Sequence, residues 1–155
     1  MRIAQTYQSK NALNILRQNG IAQQLESVID QPNIQLDRGS TSTVKTCIES
    51  KLEEFGWLIR MKIDIDLGAQ INAFHSSGIA VQVQMGNVAR AFYDLMKLQR
   101  LRELQMISVG VLVVPMRSAA RKVGSNLASF ERISEEHDLM FQEQITVPLV
   151  IYGIS

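Results

Sequence analysis

Three amide side chains in the middle of the chain have the types and spacing to meet in one polar patch. Gln82 and Gln84 lie two residues apart in a run that alternates over 79–85, and the pleat of a strand turns such residues to one face. A turn predicted at 75–78 brings Asn72 close to Gln82. Amide oxygens can ligate a cation, although they carry no charge. Ordinary solvation of one strand face explains the same alternation.

Acidic residues nearby offer further metal ligands. Asp64 and Asp66 fall on the polar face of a strand predicted over 57–67, and Glu49 and Glu53 lie on the helix before it. Carboxylates are the ligands that a hard divalent cation prefers. The alternative for each of the four is a solvated face of a strand or helix.

Other kinds of site have little support in the sequence. His75 and His137 are far apart and have no ligand spacing near them, and Cys47 is the one cysteine. A zinc site therefore has little support, and Cys47 is expected to be a core thiol. The sequence also contains no glycine-rich phosphate loop and no nucleophile elbow.

Basic residues are the candidates for phosphate contacts. The formal net charge of +1 gives no overall attraction to nucleic acid, so binding would depend on a local patch. Residues 117–125 have the composition of a mobile loop. Eight basic side chains are candidates for contacts with DNA phosphates, and ordinary solvated surface charge is the alternative for them: Arg60, Lys62, Arg90, Lys97, Arg100, Arg117, Arg121 and Lys122.

Hydrophobic periodicity predicts an α/β protein with the element order α-α-βββ-α-β-(α)-β. Three strands of the middle region form an antiparallel meander. Asn87 is a good N-cap for the helix after it, and Pro148 suggests that the last strand lies at a sheet edge. Helices are predicted over 9–29 (broken at Gly20), 43–55, 87–105 and 126–137, and strands over 57–67, 70–74, 79–85, 108–115 and 145–151.

Length and composition predict one globular domain over 1–155. The chain has 155 residues, of which 46% are hydrophobic and 20% charged. The longest apolar run, 109–115, is too short to span a bilayer. The first residues do not have the pattern of a signal peptide, so we expect none. A single cysteine favours a reducing compartment, so we expect a cytoplasmic protein without a membrane partner.

Several runs resemble the core of the BglII-type type II restriction endonucleases. They are GIAVQVQMGN at 78–87, ARAFYDLMKLQ at 89–99, VGVLVVP at 109–115, NLASFE at 126–131 and TVPLV at 146–150. The resemblance spans about 57–154 and extends less closely over the N-terminal helices. It implies the PD-(D/E)xK fold: a restriction-endonuclease-like αβββαβ core with a mixed sheet flanked by helices.

The resemblance also assigns roles. In that family an Asp and the Glu of an E-x-Q motif bind Mg²⁺, which polarises the scissile phosphate and lowers the pKa of the attacking water. By position Asn72 falls on the Asp, Gln82 on the Glu and Gln84 on the Gln. Both acids therefore stand here as amides, and we expect Mg²⁺ binding to be weak or absent.

Two functions follow as hypotheses. The first is a type II restriction endonuclease-like protein, in which the parent reaction, Mg²⁺-dependent hydrolysis of double-stranded DNA, is impaired. The alternative is a non-catalytic module that reuses the fold to bind DNA or another protein. A homodimer is expected by analogy, because a two-fold protein matches a palindromic site.

Overall fold

A computed structural model describes residues 1–64 and 67–155. The helices are α1 (Ala12–Gln18), α2 (Ile21–Ile29), α3 (Thr41–Glu54), α4 (Val88–Glu103), α5 (Arg117–Val123) and α6 (Phe130–Glu136), which continues into a π-helical turn (His137–Phe141). The strands are β1 (Ile3–Gln8), β2 (Leu58–Ile59), β3 (Ala73–His75), β4 (Ile79–Val83), β5 (Val109–Pro115) and β6 (Leu149–Ile154).

Within the described residues the strands form one six-stranded sheet in the order β1-β6-β5-β4-β3-β2. Strands β4, β5 and β6 run parallel, whereas β1, β2 and β3 pair antiparallel with their neighbours. Helix α4 makes the crossover between β4 and β5, as a parallel connection requires. The mixed sheet flanked by helices and the antiparallel meander β2-β3-β4 are both confirmed.

Apolar side chains cover both faces of this sheet. Alternate residues of β5 point to opposite sides, so that Val111 and Val113 pack with α1, α2 and α3, while Leu112 and Val114 pack with α4 and α6. Each fully buried aliphatic side chain contributes about 1.5–3 kcal/mol. The predicted buried strand is confirmed, because all of β5 is buried.

Two predicted helix boundaries also hold. Gly20 has φ +70, a conformation that glycine adopts without steric cost, and it separates α1 from α2. The side-chain oxygen of Asn87 accepts a hydrogen bond from the backbone N–H of Ala89 at 2.8 Å. This is the N-cap geometry predicted for α4.

The long strand predicted over 57–67 is wrong. Among the described residues of that range only Leu58–Ile59 is strand, because Arg60 has φ +54 and turns the chain out of the extended conformation. Beyond it the chain pairs irregularly, with Ile63 N–H donating to Ala69 O and Ile71 N–H donating to Met61 O. Burial still alternates over residues 57–64, which is why this part of the sequence resembles a strand.

Two other expectations are wrong, and one strand of the sheet was not predicted. Residues 117–123 form α5 rather than a loop, because Ala119, Ala120 and Val123 bury one side of a helix. Strand β6 lies between β5 and β1 rather than at an edge, and Pro148 precedes it. Strand β1 has no counterpart in the prediction, and it pairs with β6 at the edge of the sheet.

The helices within 1–64 and 67–155 include none with the length and apolar content needed to cross a membrane.

Candidate functional site

A polar cleft of about 350 Å³ lies beside the ends of β3 and β4 and the first half of α4. Asn72 immediately precedes β3, Gln82 lies in β4, and Gln84 follows that strand. All three amides line the cleft. The three amides therefore line one cleft, as their spacing in the sequence predicted, and their role as site residues stays a prediction.

Asn72 is fixed by hydrogen bonds at both ends of its amide. Its Oδ1 accepts from the backbone N–H of Val83 at 2.8 Å, and its Nδ2 donates to Glu49 Oε1 at 2.6 Å. The first bond joins Asn72 to the strand beside Gln82. The second requires an N–H donor, which an aspartate side chain lacks.

Glu49 forms the back of the site. This carboxylate of α3 is 6% exposed, and its Oε2 accepts from Arg60 Nε at 3.0 Å and from Arg60 Nη2 at 2.9 Å. Both of its oxygens therefore have partners, and its charge is matched by the guanidinium. A buried carboxylate needs such a counter-ion, because desolvation alone costs several kcal/mol.

Arg60 approaches the cleft from the end of β2 in an unusual backbone conformation. A positive φ at a residue other than glycine costs about 1–3 kcal/mol. The conformation is held by a hydrogen bond from Arg60 N–H to Asn72 O at 2.9 Å and by the ion pair with Glu49. The backbone and the side chain of Arg60 are thus both tied to the site.

Gln82 and Gln84 are buried, and the solvated strand face considered for them is wrong. They are 6% and 3% exposed. Gln84 Oε1 accepts from Gly86 N–H at 2.8 Å, while Gln84 Nε2 and Gln82 Oε1 have no partner within the described chain. A buried polar atom without a partner costs about 1–3 kcal/mol, so a ligand that supplies one would bind favourably.

The remaining predicted carboxylates do not gather here. Glu53 is exposed on α3, and Asp64 is exposed with its Oδ1 accepting from Leu67 N–H at 2.8 Å. Asp66 lies outside the described residues. No group of three or more His, Cys, Asp or Glu side chains that could hold a metal ion occurs in the parts of the chain covered by the structure.

The donor set does not fit Mg²⁺, which prefers charged oxygen ligands. Four cations line the cleft, namely Lys45, Arg60, Arg90 and Lys97, against Asp94 in its wall and Glu49 behind it. These described side chains give a net charge of +2. Such a cleft attracts an anion and repels a divalent cation.

Three of the eight predicted DNA-contacting cations lie in this cleft. Arg60 and Arg90 are exposed there, whereas Lys97 is largely committed to the protein. Its Nζ lies 2.6 Å from Asp94 Oδ1 and donates to Gln70 O at 2.9 Å. Lys97 therefore fastens the chain around Gln70 to α4 rather than reaching freely toward solvent.

Lys45 lines the cleft, although the sequence reasoning missed it. It lies four residues before Glu49 on α3, the spacing that places two side chains on the same helix face. This spacing from Glu49 could have identified Lys45 from the sequence. The five other predicted cations do not line this cleft: Lys62, Arg100, Arg117, Arg121 and Lys122.

Arg100 is exposed and pairs with Glu103 at 3.5 Å. Arg117, Arg121 and Lys122 are exposed on α5, and Lys62 is exposed opposite Gln70.

Comparison with solved structures identifies the architecture. The chain superposes on the crystal structure of restriction endonuclease BglII complexed with a DNA 16-mer with a TM-score of 0.82 at 13% identity, covering 97% of this chain and 77% of that one. It superposes on free BglII with a TM-score of 0.63 at 14% identity, covering 97% and 78% of the two chains. These likenesses confirm the restriction-endonuclease-like fold.

A search of curated proteins gives no match. A family model described as restriction endonuclease BglII/BglIII matches residues 4–154. Because that match covers nearly the whole chain, the protein belongs to the restriction endonuclease BglII/BglIII family.

Proposed function

We propose that this chain binds double-stranded DNA through the cleft and that its hydrolysis of phosphodiester bonds is impaired. The family fold and the net positive cleft support binding of a duplex. The proposed loss of hydrolysis rests on one observation, the hydrogen bond that Asn72 Nδ2 donates to Glu49 Oε1 at 2.6 Å. The site is built around an amide donor at a position where the family resemblance expects a metal-binding carboxylate.

The charge of the site supports the same proposal. Asn72 and Gln82 would supply no negative charge to a metal ion, and the charge of Glu49 is matched by Arg60. Without that charge, nothing offsets the reluctance of Mg²⁺ to lose water. We therefore propose that Mg²⁺ binds weakly or not at all, and that the family reaction is correspondingly slow.

The proposal includes the assembly and the compartment. A homodimer would match the two-fold symmetry of a duplex site, and sedimentation of the free protein tests it. The free thiol of Cys47 supports a reducing, cytoplasmic compartment.

A cleavage assay on restored acids tests the loss of hydrolysis. The wild-type chain and the double variant Asn72→Asp, Gln82→Glu are incubated with plasmid DNA and with Mg²⁺ or Mn²⁺. We expect no cleavage by the wild type and metal-dependent cleavage by the double variant. The matched control is Asn87→Asp, which makes the same amide-to-acid change at the N-cap of α4, outside the cleft.

Cleavage by the wild-type chain would show that the missing charge does not limit the reaction. Failure of the folded double variant to cleave any sequence would remove the assignment of Asn72 and Gln82 to the acid positions. Retention of wild-type protein on duplex DNA tests binding separately, and its absence at low salt would refute the DNA-binding proposal as a whole.

A further inference from the structure

Arg60 presents a fixed positive charge to the cleft. Its side chain is 63% exposed, yet Nε and Nη2 both donate to Glu49 Oε2. A guanidinium carries five N–H donors, so three remain after these two bonds. The ion pair thus sets the direction of the guanidinium and leaves donors available to a ligand.

Gln84 adds a buried donor to the same cleft. Because its Oε1 accepts from Gly86 N–H, the orientation of the amide is set, and the NH₂ group is the end that has no partner among the described residues. An N–H group buried in this way can donate to an anionic oxygen. It offers nothing to a metal ion, which needs a lone pair.

Lys45 and Arg90 complete the positive lining. Among the described residues neither forms an ion pair, whereas Lys97 is matched by Asp94. Guanidinium groups suit phosphate because their planar fork can donate to two oxygens at once. The cleft therefore contains fixed donors and free cations on several sides.

Resting on the proposed function, we infer that the cleft binds a phosphate group of DNA directly, with Arg60 as a built-in cation and no divalent metal between protein and phosphate. Glu49 acts as the positioning residue that holds Arg60, and Gln84 Nε2 supplies a second donor. In this inference the cleft binds the DNA phosphate at the position where the family resemblance expects a divalent metal ion.

Fluorescence anisotropy of a short labelled duplex tests this inference. The full chain is titrated in EDTA and, at matched ionic strength, in Mg²⁺. We expect binding in EDTA that Mg²⁺ does not strengthen. Arg60→Gln should weaken it about tenfold, as expected for a lost charged hydrogen bond, and should lower the slope of log K against log salt by about one.

Arg121→Gln is the matched control, because Arg121 is exposed on α5 and does not line the cleft. Arg60→Gln also leaves Glu49 buried without a counter-ion, so a second variant, Glu49→Gln with Arg60→Gln, removes both charges. Its melting temperature should recover relative to Arg60→Gln while its binding stays weak. Recovery of binding together with stability would assign Arg60 a merely structural role and overturn the inference.

The outcomes separate the inference from the function on which it rests. Binding that requires Mg²⁺, or an equal effect of Arg60→Gln and Arg121→Gln, overturns direct phosphate binding in the cleft and leaves DNA binding intact. Absence of duplex binding in both EDTA and Mg²⁺ overturns both.

Discussion

Asn72→Asp should destabilise the protein in a manner that depends on pH. The substitution keeps the side-chain oxygen that accepts from Val83 N–H. It replaces the donor that lies 2.6 Å from Glu49 Oε1 by a carboxylate oxygen. A hydrogen bond to a charged group, worth about 1.5–3 kcal/mol, is lost, and two like charges are brought together.

The repulsion can be sized from the same contact. Two unit charges about 4 Å apart repel by about 4 kcal/mol at an effective dielectric constant of about 20. Arg60 already pairs with Glu49 and offsets part of this. We therefore expect a loss of about 3–5 kcal/mol in the free energy of unfolding near neutral pH. The loss should shrink as the pH falls, because one shared proton removes the repulsion in the folded state.

Urea denaturation followed by the fluorescence of Trp57, which is 3% exposed and is the single tryptophan, measures this loss. Asn87→Asp is the control, because an aspartate caps a helix as well as an asparagine does. Mg²⁺ should stabilise Asn72→Asp and not the wild type, since the variant has two adjacent carboxylates. A variant as stable as wild type at neutral pH, or equally destabilised at all pH values, would refute the described contact between Glu49 and Asn72.

Three further changes test the packing and the buried charges. Gly153→Ala should lower the free energy of unfolding measured by urea denaturation by about 1–3 kcal/mol, because the new Cβ would lie 2.8 Å from the ring of Phe130. Asp94→Asn should lower the free energy of unfolding by about 3 kcal/mol, because it leaves the largely buried ammonium of Lys97 without its counter-ion. Adding Lys97→Met should recover part of this loss. Burial lowers the pKa of His137 from 6.5, so the unfolded chain takes up a proton first, and stability should fall as the pH drops below 6.5. His137→Asn should flatten that fall in melting temperatures measured across this range, and an unchanged pH profile would contradict it.

Hydrophobic periodicity predicted most of the sheet and helices because their burial is regular. Strand β5 is buried on both faces and reads as a continuous apolar run, and α4 begins at a capping asparagine. The segment after β2 was misread because its burial alternates while its backbone does not stay extended. The positive φ of Arg60 depends on Asn72 and Glu49, which are distant in sequence, so local pattern could not reveal it.

The location of the site was predictable, whereas its environment was not. The alternation of apolar and polar residues places Gln82 and Gln84 on one face of a strand. The same pattern is expected whether that face is exposed to solvent or lines a cleft. The structure shows that both glutamines are buried and that residues 67–72 and helix α4 line the same cleft. Strand β1 was not predicted for a related reason, because it is largely exposed and is held by backbone pairing with β6.

Under the proposed function, the family fold is retained although amides stand where the family resemblance expects acids. Asn72 Oδ1 still accepts from Val83 N–H as a carboxylate oxygen could, so the junction between β3 and β4 needs no rearrangement. What differs is one donor and one unit of charge. Asn72 Nδ2 donates a hydrogen bond to Glu49, and Glu49 accepts one from Arg60. The guanidinium of Arg60 is thereby held in the cleft as a positive charge. Under the proposed function, an amide at 72 is compatible with the retained architecture and does not reduce the positive charge that Lys45, Arg60, Arg90 and Lys97 already give the cleft.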